Sequence, residues 1–210
     1  LIGGLLFFAS CNNSADTKTN NADTAAVETE ETSSVSVNEE FPRLFTYLQS
    51  QDSSFSPDKF EGGEMDLKDS LPKAKIDTAQ LRPFRPYLIY NRDSSMAIDL
   101  VSYNYVISHK KGKTVIQQGG PDTEVALLDL KNNTRKRILF LGSAGTVLQA
   151  KWNDDNSIAI VGAEEVEGGK IKPSIWNYDW TTGKMELYQY PDAIHANIKD
   201  YTEQGLNKQY

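Results

Sequence analysis

Apolar and polar positions along this chain fall into four stretches of different period, and each predicts a different state. Residues 1–8 form an apolar run broken only by glycine. From residue 12 to about 38 the chain consists of Ser, Thr, Asn, Ala, Asp and Glu around a single lysine, with Val27, Val35 and Val37 as its only larger apolar residues. Phe41, Leu44, Phe45 and Leu48 then recur at the spacing of one helix face, with Pro42 suited to a first turn. Beyond about residue 86, short apolar segments are separated by Asn, Asp and Gly turns, the pattern of antiparallel strands.

The opening run is too short for a membrane span, which needs about 20 apolar residues. Small residues Ala9 and Ser10 before Cys11 suit a cleavage site, so the run reads as the end of an export signal that begins before Leu1. The polar stretch has too little apolar surface to offset its ordering entropy and reads as a tether, with a root-mean-square span of about 30 Å. The expected organisation is a truncated signal over 1–10, a lipidated cysteine and flexible acidic tether over 11–40, and one β-rich domain over 41–210. Pro83 and Pro86, with Leu81, Phe84 and Tyr87, predict an extended lead into the sheet. A short helix is expected after Pro191, begun by Asp192 and carrying Ile194, Ile198 and Tyr201 on one face.

The charge sharpens this division. Of a net −7, the first 40 residues carry seven carboxylates against Lys18, which leaves −1 for the remainder. A nearly neutral domain argues against nucleic acid and against electrostatic adhesion to a membrane surface. Phe8-Ala9-Ser10-Cys11 resembles the lipobox of bacterial lipoproteins, with Phe8 where leucine is more usual. The resemblance implies that Cys11 is acylated, that the peptide before it is removed and that the membrane is reached through the lipid. Several acyl chains anchor stably where one does not. Cys11 is the only cysteine, so its lipidation leaves neither a free thiol nor a disulfide. Asn12 and Asn13 lack the aspartate that signals inner-membrane retention in many enteric lipoproteins, which points to the outer membrane of a bacterial envelope.

Within the domain two passages align at an offset of 62: residues 90–98 match 152–160, with Asn91/Asn153, Asp93/Asp155, Ser95/Ser157, Ala97/Ala159 and Ile98/Ile160 identical. A weaker pair at an offset of 50 places Val125 to Asn133 on Ile175 to Gly183, with Asp129 on Asp179. Four hairpins in this order predict two four-stranded antiparallel units, about 86–142 and 146–191, which resemble blades of a β-propeller. Two blades cannot close a ring of the usual four to eight. The expected fold is therefore mainly β: two blade-like units packed as a sandwich, with a partly helical N-terminal segment supplying Phe41, Leu44, Phe45, Phe55, Phe60 and Leu81 to cover an open face.

Candidate chemistry is sparse. His109 and His195 lack metal-ligand neighbours at useful spacing, no phosphate loop or Gly-x-Ser-x-Gly elbow occurs, and residues 153–156 lack the central glycine and distal glutamate of a calcium loop. No catalytic residue, metal or cofactor is expected. Asp93, Asp155, Asp129 and Asp179 recur with the repeats and so belong to turns. The aromatic hairpin of Trp176, Tyr178, Trp180, Tyr188 and Tyr190 is a candidate ligand-binding platform as well as a source of core packing. Tyr103-Asn104-Tyr105 is a second candidate. Unrepeated segments, 108–121 and the Glu-rich 164–170 turn, are expected to carry specific contacts. The function expected is a noncatalytic envelope lipoprotein that binds a protein or cell-envelope partner. A carbohydrate-binding accessory lipoprotein is the alternative, and a carboxylate-dependent hydrolase a remote one.

Overall fold

The structure, a computed structural model, describes residues 41–65, 73–110, 112–199 and 201. The lipobox, Cys11 and the tether lie outside the described residues. The described part is mainly β, in two open antiparallel sheets. The first sheet takes the strand order β2-β8-β7-β4-β3, built from β2 (Lys73–Lys75), β3 (Ile89–Tyr90), β4 (Met96–Asp99), β7 (Thr123–Asp129) and β8 (Thr134–Leu141). The second takes the order β1-β12-β11-β10-β9, from β1 (Glu61–Met65), β9 (Gly145–Trp152), β10 (Ser157–Val166), β11 (Lys170–Asp179) and β12 (Met185–Gln189). A separate hairpin, β5 (Tyr105–Lys110) and β6 (Lys113–Gln118), is inserted between β4 and β7.

Each expected unit is thus a four-stranded meander, but each sheet has five strands. The fifth comes from the N-terminal segment: β1 pairs with β12, and β2 pairs with β8. Extended backbone was not foreseen there because Glu61–Met65 and Lys73–Lys75 are exposed throughout and show no apolar alternation. Their backbone hydrogen bonds, rather than buried side chains, attach them.

Three apolar layers explain the pattern of the strands. Met96, Ile98, Val125, Leu127 and Ile138 of the first sheet meet Val147, Ala150, Ile158, Ile160, Trp176, Tyr178 and Met185 of the second. The outer face of the second sheet, with Leu148, Ala159, Val161, Ala163, Ile171, Ile175 and Tyr190, is covered by Phe41, Leu44, Phe45, Leu48 and Phe55. Most of these lie on helix α1 (Pro42–Gln51), which Pro42 opens. The outer face of the first sheet, with Ala97 and Leu128, is covered by Ile76, Leu81, Phe84 and Leu88. That cover begins with the one-turn helix α2 (Thr78–Leu81), capped by the Asp77 carboxylate, which accepts from the amides of Ala79 and Gln80 at 3.0 Å each. The N-terminal segment therefore covers two faces and extends two sheets.

The C-terminal segment departs from expectation. Asp192 does not begin a helix; helical residues start only at Ile198. The reason is competition for the backbone. Ile194 exchanges two 2.9 Å hydrogen bonds with Ile171, and the His195 amide donates to the Asp52 carboxylate at 3.1 Å. Ile194, Ile198 and Tyr201 still pack against the α1 cluster.

Among the described residues two carboxylates are enclosed, Glu124 and Asp99. Glu124 on β7 lies between Arg135 and Arg137 of β8, its side chain without solvent exposure, and both guanidiniums contact its carboxylate. Asp99 on β4 accepts from the amides of Val101 and Ser102 and from the Ser102 hydroxyl, with Arg135 at 3.9 Å. Three strands are thereby tied on one face.

Two outcomes follow. Glu124→Gln removes the shared partner of two arginines that retain some solvent, and is expected to lower the unfolding free energy by about 2 kcal/mol in a urea titration. Hydrogen bonds from the Ser54 hydroxyl and from the His195 and Ser54 amides bring the Asp52 carboxyl from 3.8 down to about 2. Because the folded value lies below the unfolded one, this contribution is complete above about pH 4 and is lost as the pH falls through about 2. The His195 amide resonance should titrate with that low midpoint, and Asp52→Asn should flatten the curve.

Candidate functional site

Four hairpin turns meet at one end of the sandwich: 91–95 and 130–133 from the first sheet, 153–156 and 180–184 from the second. Short polar side chains make each turn. Asp93 accepts from the Ser95 amide at 3.0 Å and Asp129 from the Asn132 amide at 2.9 Å. Asp154 accepts from the amides of Asn156 and Ser157 at 2.6 and 2.7 Å, and Asp179 from those of Thr181 and Thr182 at 2.8 and 3.0 Å. Ser94, Asn133 and Gly183 adopt positive φ of 56°, 54° and 78° to close three of the turns. Asn133 and Gly183 are equivalent in the offset-50 alignment, so the two sequences meet the same backbone demand with different residues.

The capping bonds hold all four carboxyls low. The Ser95 hydroxyl and amide do so for Asp93, the Asn156 amide for Asp154 and the Thr181 hydroxyl for Asp179. At Asp129, burial pushes upward, but the Asn132 side chain and amide together with the Lys131 amide and charge outweigh it. A general acid needs a carboxyl that keeps its proton near neutrality. These four are shifted the other way and are committed to backbone geometry.

The repeat breaks at one position. Asp93 and Asp155 align, yet in the second unit the cap is Asp154, one residue earlier. The Asp155 side chain takes part in no hydrogen bond or ion pair among the described residues. It lines a recess of ≈ 730 Å³ with Arg92, Lys131, Asn132, Asn156 and Trp180. Trp180 is fixed at this recess by two bonds: its indole N–H donates to the Asp155 carbonyl and its amide to the Asn156 carbonyl, both at 3.0 Å. Lys131 reaches Asp93 at 3.3 Å across the turns of the first sheet.

The structure does not bring the five candidate aromatics together. Trp176 and Tyr178 lie between the sheets, and Tyr178 has no exposure. The Tyr178 hydroxyl accepts from Lys136 Nζ at 2.7 Å. A Cβ at Gly162 would come within 3.1 Å of the Trp176 ring and 2.7 Å of the Thr146 carbonyl oxygen, a measure of how tightly that ring is packed. Tyr190 is equally enclosed but on the opposite face, under Phe55 and Phe60 at centroid distances of 5.0 and 5.4 Å. Its hydroxyl donates to the Ser54 carbonyl and accepts from the Ser56 amide. Tyr188 packs partly on that same face. Of the five, Trp180 alone lines the turn-end recess.

The other candidates are dispersed. Tyr103 is exposed and stacks edge-on against Phe140 at 5.9 Å with the Arg137 guanidinium over both rings, while Asn104 is buried and accepts from the Gly120 amide. Tyr105 is partly buried, which pushes its phenol pKa up. His109 sits on the exposed β5–β6 hairpin, and His195 lines a separate recess with Gln51, Glu165 and Lys199. Glu164 and Glu165 are exposed. Among the described residues no group of three His, Cys, Asp or Glu side chains is placed to hold a metal.

Sequence reasoning missed the enclosed Glu124. Its signal was the spacing of Glu124, Ala126 and Leu128 on one strand against Arg135 and Arg137 on the next, a charged minority on an apolar face. In the recess there, ≈ 220 Å³ beside Tyr103, Lys75 and Asp77, Glu124 is ion-paired with Arg135 and Arg137 and Asp77 is engaged by backbone amides. No family model, curated protein or solved structure matches this chain.

The two tryptophans on β11 and its turn are expected to behave oppositely. Trp176→Ala should cost about 3–5 kcal/mol of unfolding free energy, as for a large core residue. Trp180→Ala should cost about 1 kcal/mol, the loss of one hydrogen bond and partial burial. Equal costs in urea melts would contradict the placement.

Proposed function

We propose that this chain is a noncatalytic lipoprotein anchored in the bacterial cell envelope, whose β domain binds a protein or cell-envelope partner. The observation that carries the reading is the junction at Cys11, where an apolar run and two small residues meet a polar stretch at the chain's sole cysteine. A nearly neutral domain and a polar tether agree with it, since attachment through lipid requires no basic face. The two meanders keep the consecutive strand order of propeller blades, and we read them as a pair of blade-like units that face each other rather than join a ring. Placement at the outer membrane is part of the proposal.

A second reading, a carbohydrate-binding accessory lipoprotein, is favoured by one specific feature: the Trp180 side chain at a recess rimmed by Asn, Asp, Arg and Lys.

Anchoring is tested by expressing the full chain, with its complete export signal, in a Gram-negative host. The wild type should sediment with membranes and enter the detergent phase, and mass spectrometry should find an acylated N-terminal Cys11. The Cys11→Ala variant should be recovered in the soluble fraction. Equal membrane attachment of both would overturn the lipoprotein reading.

A further inference from the structure

We infer that the turn-end recess is a subsite for a neutral saccharide, with the Trp180 ring as its stacking surface and Asp155, Asn156 and Arg92 as its hydrogen-bonding rim. The inference deepens the envelope-binding reading and rests on it. The argument begins with what the repeat does not explain. Structural duty at this end of the sandwich falls on Asp93, Asp129, Asp154 and Asp179, each engaged with amides of its own turn. The repeat equivalent of Asp93 is Asp155, and it has no such duty. The side chains of Asp155, Asn156 and Arg92 make no hydrogen bond or ion pair among the described residues, although all three line the recess.

Trp180 is the second departure. Its equivalent in the first unit is Leu130, so the hairpin itself does not require an aromatic ring. An indole whose N–H is tied to the Asp155 carbonyl is held in place at the recess, so less rotamer entropy is lost on binding. The same carbonyl fixes Asp155 next to the ring.

The ligand class follows from this chemistry. A pyranose offers an apolar face of C–H groups for a ring and, around its edge, hydroxyls that both donate and accept. Asp155 accepts, Arg92 donates and the Asn156 amide does both. The charges of Arg92 and Asp155 cancel and Lys131 is paired with Asp93, which leaves the Asp129 carboxylate as a net −1 that disfavours an acidic sugar. The volume, ≈ 730 Å³, lies within the range of small-ligand sites and exceeds one sugar ring, so a short oligosaccharide fits.

The test uses the full-length wild type in detergent micelles and a panel of probes: cellotriose, maltotriose and chitotriose as neutral sugars, with trigalacturonate as the acidic control. Titration calorimetry and protein-observed NMR report binding. A neutral trisaccharide is expected to bind saturably and to shift the Trp180 indole resonance, with trigalacturonate inert. Trp180→Ala should weaken binding about tenfold or more, Trp180→Phe should keep most of it, and Asp155→Ala should weaken it about fivefold. Phe140→Ala, an exposed aromatic elsewhere, should leave it unchanged. Urea midpoints establish that each variant is folded. Absence of binding to every neutral probe at millimolar concentration, or undiminished binding by a folded Trp180→Ala, would overturn the subsite. Membrane attachment is read separately through Cys11→Ala, so either result leaves the anchoring question to its own experiment.

Discussion

Along β10, Ala159, Val161 and Ala163 face one way while Ile158, Ile160 and Gly162 face the other, and neither set reaches water. The same holds for β4 and β7, where Ala97 and Leu128 point outward and Ile98, Val125 and Leu127 point inward. Two facing sheets of this kind cannot stand alone, because packing them together satisfies only half of each. Every other feature answers that constraint. Helix α1 with Phe55 and the C-terminal Ile194 and Ile198 closes one outer face, and residues 76–88 close the other. Each fully buried Leu, Ile or Phe contributes roughly 1.5–3 kcal/mol. The covering segments are therefore as much part of the core as the strands.

Several polar groups caught inside these layers find a partner, while Asn177 Oδ1 is buried without a hydrogen bond among the described residues. Lys136 reaches in to the Tyr178 hydroxyl, the indole N–H of Trp152 spans the sheets to the Ile89 carbonyl, and the Tyr190 hydroxyl takes its partners from residues 54 and 56. Glu124 is the costliest to bury and is matched by two arginines whose outer ends remain in solvent. The match saturates the charge at that recess. Its counterpart at the turn end is different in kind: four carboxylates are committed to backbone there, while Asp155, Asn156 and Arg92 are not. Saturated groups hold a fold, and uncommitted groups beside a fixed ring are what a ligand can use.

The legible part of the fold was the part written in repeating apolar positions. Phe41, Leu44, Phe45 and Leu48 showed the face of α1, and the aligned Asn, Asp, Ala and Ile residues showed four hairpins in two units. The strands β1 and β2 were not legible, because an exposed edge strand is held by its backbone and needs no apolar alternation to be one. The helix expected from Asp192 failed for a related reason: the partners of Ile194 and His195, namely Ile171 and Asp52, are more than twenty residues away and local spacing is blind to them. In the candidate site, period two correctly grouped Trp176, Tyr178 and Trp180 on one side of the hairpin. It carried no information on what lies opposite, and that side is the inter-sheet core until the strand ends. Trp180, past the end of β11, packs only partly against that core.

That position explains why the end of a strand, rather than its middle, supplies the ring. Within β11 a tryptophan must fill a fixed space between two sheets, as Trp176 does against Gly162. One residue beyond Asp179 the side chain of Trp180 still packs against the edge of the inter-sheet core but is only half-buried and lines the recess. A ring there gains stability from its indole hydrogen bond and stays half-exposed. Flexibility would erase the advantage, since an unrestrained loop must be ordered by whatever binds it. The aspartate caps remove that cost before any ligand arrives, with Asp154 and Asp179 holding the two turns that meet at Trp180. The turns that look like mere punctuation in the sequence are thus what makes a rigid, partly open aromatic surface possible at this end of the domain.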